Sequence, residues 1–127
     1  MFRNHKKGKK GIKRIKNAFK YSIEGLKTAW SDEEAFRQIF ILAVIFTILG
    51  FFCGETWEQK ILLILPCFFC VSAELINSAI ENAVDFTSIE IHPLAKKAKD
   101  IASALQFVSI IFFILVWGSF IVLKFLI

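Results

Sequence analysis

At 127 residues and a net charge of +5, the chain holds one domain at most. A hydrophobic fraction of 56%, with fifteen phenylalanines, excludes an ordinary soluble domain. Ten of the sixteen Lys and Arg lie between Arg3 and Lys27, and beside membrane spans such a basic end indicates an anionic lipid surface and a cytoplasmic location rather than nucleic acid.

No apolar h-region with a small-residue cleavage site follows the basic N-terminus, so no cleavable signal peptide is expected. Residues 12–30 form the first predicted element. Ile12, Ile15, Phe19, Ile23, Leu26 and Trp30 recur at three- and four-residue steps, with Lys13, Lys16, Lys20 and Lys27 on the other sides. A basic helix with an apolar stripe fits the plane of a membrane interface, although packing on the protein's own core would give the same pattern. Ser31-Asp32-Glu33-Glu34 matches a capping box with Ser31 as N-cap. The helix it opens continues through Phe36-Arg37-Gln38 into a first span at about 35–53, with Arg37 snorkelling or facing protein.

Gly54 to Glu58 reads as a short polar loop with an interfacial tryptophan, Trp57. A second span follows at about 61–85, bent early by Pro66. Residues 86–99 form a polar connector containing His92-Pro93 and three lysines, and a third span occupies about 101–124 with Ser103, Gln106 and Ser109 on one flank. The Lys-rich N-terminus and connector, set against a 53–60 loop with one lysine and two glutamates, place the N-terminus in the cytoplasm. Cys67-Phe68-Phe69-Cys70 has redox spacing but no further ligands or thioredoxin-like setting, so its thiols read as small buried hydrophobes.

The second span carries Glu74, Asn77, Ser78, Glu81 and Asp85 on one helical face. Ionisable groups inside a span are costly and usually face a bundle interior or a functional cavity. Three-span topology brings Glu33, Glu81, Asp85, Lys99 and Asp100 to one membrane face. Glu74 lies roughly 15 Å of helix rise deeper than Asp85. A hard cation with nucleotide phosphates uses one or two carboxylates and a cationic partner. A deeper, desolvated carboxylate can act as a base, and Asn77, three residues on, could hold its orientation. There is no Walker A pattern and no G-x-G-x-x-G. The pattern alone leaves open a catalytic site, interhelical packing and an oligomeric proton or ion conductor.

Glu74-Leu-Ile-Asn77-Ser-Ala-Ile-Glu81-Asn-Ala-Val-Asp85 closely resembles the signature of the prokaryotic diacylglycerol kinase family, small three-span enzymes unrelated to soluble kinases. Tyr21 to Trp30 resembles the family's surface helix, Glu33 to Gln38 the start of its first span, and Ala98 to Ala104 the start of its third. The resemblance implies an all-α integral membrane fold, with an N-terminal amphipathic surface helix and three transmembrane helices in a homotrimeric bundle whose active sites lie at subunit boundaries. It implies transfer of the ATP γ-phosphate to diacylglycerol, giving phosphatidic acid for phospholipid recycling in the bacterial inner membrane.

Residue by residue, the resemblance makes Glu74 the general base, with Asn77 and Lys99 beside it in catalysis, and Glu33 and Glu81 the Mg2+ ligands. Arg14, Tyr21, Asp85, Glu90, His92, Lys99 and Asp100 correspond to nucleotide contacts. Arg14, Ala18, Ser22, Trp30, Glu74, Ser103 and Trp117 correspond to lipid-substrate positions. Two branches are mixed in the chain. The run His92 to Lys96 resembles the branch that phosphorylates undecaprenol, whereas Ala35 to Gln38 resembles the branch that prefers diacylglycerol. Ile39 stands where related sequences can carry glutamate. Diacylglycerol is favoured because the start of the first span lies closer to where lipid would bind.

Overall fold

The computed structural model of the protein describes residues 11–87 and 92–127. Helix α1 spans Gly11–Asp32, α2 Glu34–Cys53, α3 Trp57–Thr87 and α4 Pro93–Ile121, which runs on into a π-helical stretch, Val122–Leu126. No strand occurs among the described residues. α2, α3 and the continuous segment Pro93–Leu126 are each long and apolar enough to cross a membrane. The all-α, three-span architecture read from the sequence is therefore the one observed, and the protein is an integral membrane protein.

Boundaries differ from expectation at three places. The capping box at Ser31 does not form. Ser31 lies inside α1, so its hydroxyl turns back to Thr28 O (3.4 Å) and to Asp32 Oδ1 (3.1 Å). Glu33, with φ −116° and ψ 106°, is the single extended residue between α1 and α2. Backbone bonds bridge the break on both sides, from Glu33 N–H to Ala29 O (3.0 Å) and from Arg37 N–H to Glu33 O (3.2 Å). Arg37 faces protein: its Nη1 donates to Trp30 O (2.7 Å) and Ser31 O (3.3 Å), covering carbonyls that the end of α1 leaves without helical partners.

A cap of the same chemistry forms instead before α3. Gln59 N–H donates to Thr56 Oγ1 (3.1 Å), and Glu55 N–H donates to Gln59 Oε1 (2.8 Å). α3 accordingly starts at Trp57, ahead of the expected position. The connector expected at 86–99 is mostly helical where described. α3 runs on to Thr87, and α4 begins at Pro93, the favoured proline site in a first turn. His92 Nδ1 caps α4 by accepting from Leu94 N–H at 3.0 Å.

α3 is the central helix: a larger share of its apolar stretch is buried within the chain than of α2 or α4. Leu63, Pro66, Cys67, Cys70 and Ala73 lie in the core along it, and Cys67 and Cys70 are unbridged buried thiols, as the sequence suggested. In lipid the tails are as apolar as leucine, so close packing and hydrogen bonds hold such helices together. Gly50 shows the packing: a Cβ there would lie 3.0 Å from Leu63 Cβ and 3.4 Å from Trp117 Cζ2. Trp117 is buried against Phe46 (5.1 Å between centroids) and donates its indole N–H to Leu63 O (3.0 Å). α1 meets α2 where Ala29 is buried and the Trp30 ring meets Phe40 edge-on at 5.9 Å. Further back its stripe is uncovered, with Ile12 83%, Ile15 70% and Phe19 67% exposed. This part of α1 is therefore not packed on the protein's own core.

Candidate active site

Antiparallel connection brings the start of α2, the end of α3 and the start of α4 to one end of the bundle. Two side-chain contacts fix this level. Asn82 Nδ2 donates to Glu33 Oε2 at 3.1 Å and to Ser78 O at 2.8 Å, clipping α2 to α3. Lys99 Nζ meets Asp85 Oδ1 at 2.8 Å, clipping α3 to α4. Glu81, half-buried, sits between Ser78 and Asp85 on the polar face of α3. The convergence of Glu33, Glu81, Asp85 and Lys99 expected from topology is observed. Asp100 is also at this end, but its carboxylate is paired with Lys96 on its own helix at 2.7 Å.

Deeper along α3, Glu74 is buried at 6% exposure. Its Oε1 accepts from Gln106 Nε2 at 3.0 Å, and the same nitrogen donates to Cys70 O at 3.1 Å. Asn77 was expected to orient Glu74, but the observed partner is Gln106. The carboxylate reaches across to α4, where a donor faces it, and Asn77 Oδ1 is left buried without a hydrogen-bond partner. Ser78 Oγ and Gln106 Oε1 share that condition. Three unpartnered buried oxygens, on Gln106 and on the residues three and four after Glu74, are unusual inside an apolar bundle, because such groups are normally hydrogen-bonded.

The remaining sequence candidates are distributed as follows. Arg14, Ala18, Tyr21 and Ser22 are exposed along α1, and the Ser22 hydroxyl returns to Ala18 O at 3.0 Å. Trp30 is at the α1–α2 junction, 43% exposed. Ser103 is exposed on α4. His92 has its Nδ1 engaged as the α4 cap, which leaves the ring proton of the neutral form on Nε2. Trp117 lies beside Leu63 and Gly50, in the packing near the far end of the bundle from the carboxylates. Glu90 lies outside the described residues.

Among the described residues no group of three or more His, Cys, Asp or Glu is placed to hold a metal ion. The donor chemistry still suits magnesium. Mg2+ keeps several waters and uses one or two protein carboxylates together with substrate phosphates rather than a protein cage. Glu33 is fixed against the residue that follows Glu81, so a pair of hard oxygen donors, one from the α1–α2 junction and one from α3, is available at one level.

Two partners of the acidic groups were not singled out from the sequence, Asn82 and Gln106. Asn82 lies just off the polar face, beside Glu81, and was available as a signal there. Gln106 was visible as a lone carboxamide in an apolar run, a pattern that usually marks an interior contact.

The family model for prokaryotic diacylglycerol kinase matches residues 20–121. The chain is 53% identical over 117 residues to a diacylglycerol kinase of Helicobacter pylori (strain ATCC 700392 / 26695), covering 92% of this chain and 91% of that protein. It is 42% identical over 113 residues to a diacylglycerol kinase of Pseudomonas aeruginosa, covering 89% and 92%. Against a diacylglycerol kinase of Escherichia coli (strain K12) the identity is 35% over 107 residues, covering 84% and 88%.

Proposed function

Because this chain belongs to the prokaryotic diacylglycerol kinase family, enzymes that transfer phosphate to an alcohol group, we propose that it phosphorylates diacylglycerol with ATP to give phosphatidic acid, returning the lipid to phospholipid synthesis. The observation that supports this reading best is a buried carboxylate, Glu74, on the same helical face as Glu81 and Asp85. A lipid alcohol anchored by its acyl chains and a nucleotide at the polar end would meet between those two levels.

In the proposed reaction the lipid hydroxyl oxygen bonds to the γ-phosphorus, the bond from that phosphorus to the bridging oxygen breaks, and ADP leaves. Glu74 takes the hydroxyl proton. Lys99, held by Asp85, balances charge on the phosphates, while Glu33 and Glu81 would hold Mg2+, which neutralises negative charge on ATP. Phosphoryl transfer depends mostly on positioning and charge stabilisation, so alignment of hydroxyl and phosphate outweighs the base. Arg14, Tyr21, His92 and Asp100 serve the nucleotide, and Ala18, Ser22, Trp30 and Ser103 the lipid approach.

Three spans give one chain little room to surround both substrates, which argues for an oligomer, and the family resemblance makes that oligomer a homotrimer. Positive charge at Lys13, Lys16, Lys20 and Lys27 seats α1 on the anionic face of the bacterial inner membrane, with the N-terminus in the cytoplasm. Purified protein in mixed micelles with Mg2+ and radiolabelled ATP is expected to label diacylglycerol with higher kcat/KM than undecaprenol. The opposite order would assign the undecaprenol branch, and no lipid labelling with intact protein would point instead to a conductor.

A further inference from the structure

We infer that Gln106 is a positioning residue for the phosphoryl transfer, setting the Glu74 carboxylate against the lipid hydroxyl. The inference rests on the reading of Glu74 as the base. Both contacts of Gln106 Nε2 are to acceptors, the Glu74 carboxylate (3.0 Å) and the Cys70 carbonyl (3.1 Å). The amide orientation is therefore determined by chemistry: turned over, its oxygen would face two other oxygens.

The Cys70 carbonyl belongs to the α3 turn immediately before Glu74, so Gln106 ties the carboxylate to rigid backbone. A reciprocal contact runs the other way, from Cys70 Sγ to Ser109 O at 3.5 Å. Gln106 and Ser109 are three positions apart on α4, and the two bonds lock the helices in register at the depth of Glu74. Packing does not require a carboxamide here. An apolar side chain of the same length would fill the space but leave the buried Glu74 carboxylate without this donor, so the carboxamide answers to Glu74 even though it buries an oxygen with no partner of its own. The contact also occupies Glu74 Oε1, leaving Oε2 to receive the proton.

Gln106→Met removes the donor and keeps the length. In full-length protein in mixed micelles, kcat is expected to fall about 10- to 100-fold, the loss typical of a misplaced reacting group. KM for Mg-ATP and for diacylglycerol should stay within about twofold, since neither substrate touches Gln106 in this reading. In the Glu74→Gln background the same substitution should cause no further loss, because there is no carboxylate left to position. Gln106→Asn, which keeps an amide but withdraws it by one methylene, should show the same split and serves if Gln106→Met does not fold. Unchanged kcat in a folded Gln106 variant, or an undiminished loss in the Glu74→Gln background, would overturn the positioning role while leaving Glu74 as the base. An active Glu74→Gln enzyme would instead overturn the reading beneath it.

Discussion

The two ends of this bundle are built on opposite principles. At the end near Trp117, polar groups are matched: Trp117 donates to Leu63 O, Lys60 to Gly54 O (2.8 Å), and Lys124 to Cys53 O (2.9 Å) and Glu55 Oε2 (3.1 Å). Aromatic rings close the remaining space, with Phe46 edge-on to Phe113 at 5.0 Å. At the other end, carboxylates and a lysine stand half-buried or exposed, and just beneath them three buried oxygens have no partner. Both ends tie the helices together, the first through matched donors and aromatic packing, the second through Asn82 to Glu33 and Lys99 to Asp85, with unpartnered buried oxygens beneath them. Under the proposed function, the chemistry lies at the carboxylate end and the tightest packing at the other.

That contrast can be broken from either side. The largest effect is expected at the carboxylate end. Glu33→Gln and Glu81→Gln should each lower kcat/KM by about 10²- to 10³-fold, comparable to losing one charge-stabilising group. Thermal unfolding should move little, because neither side chain is fully buried. Activity assays and melting curves on the same preparation check both halves of the statement.

Substitution at the Trp117 end should do the reverse. A Cβ at Gly54 would lie 2.8 Å from the Lys60 backbone nitrogen, so Gly54→Ala must displace the start of α3. Overpacking of this kind costs about 1–3 kcal/mol, read as a lower unfolding midpoint with kcat per folded protein retained. Trp117→Phe keeps one aromatic ring but loses the pyrrole half and its bond to Leu63 O. A smaller loss, about 1–2 kcal/mol, is expected because a buried carbonyl loses a donor. Lys124→Met should matter least, below about 1 kcal/mol, since its Glu55 partner is exposed. A catalytic defect in any of these three folded variants would show that the separation between the ends is incomplete.

Much of this was legible in the sequence because membrane spans write themselves as long apolar runs. The polar face of α3 was equally plain, since five polar residues at helical spacing stand out against leucine and phenylalanine. Boundaries were harder. Ser31 and Thr56 both begin cap-like patterns, and only the second forms a cap: at the first, α1 runs past Ser31 and Arg37 covers its last carbonyls. Partner choice across helices was not legible. Glu74 could have met Asn77 on its own helix or Gln106 on another, and relative helix rotation decides which. Trp117 was read from the resemblance as a lipid contact, whereas in the protomer its ring fills the space above Gly50.

The central claim is that Glu74 serves chemistry rather than packing, and Glu74→Gln tests it most directly. Gln at this position can still meet Gln106 and keeps the buried volume, so the fold is expected to persist. Nucleotide affinity, melting temperature and kcat should be measured on that one variant. The expected result is Mg-ATP affinity within about twofold of the unsubstituted protein, a nearly unchanged melting temperature, and loss of most of kcat with KM little altered. Turnover per folded oligomer close to that of the unsubstituted protein, with a lowered melting temperature, would contradict the claim and make Glu74 a structural contact between α3 and α4.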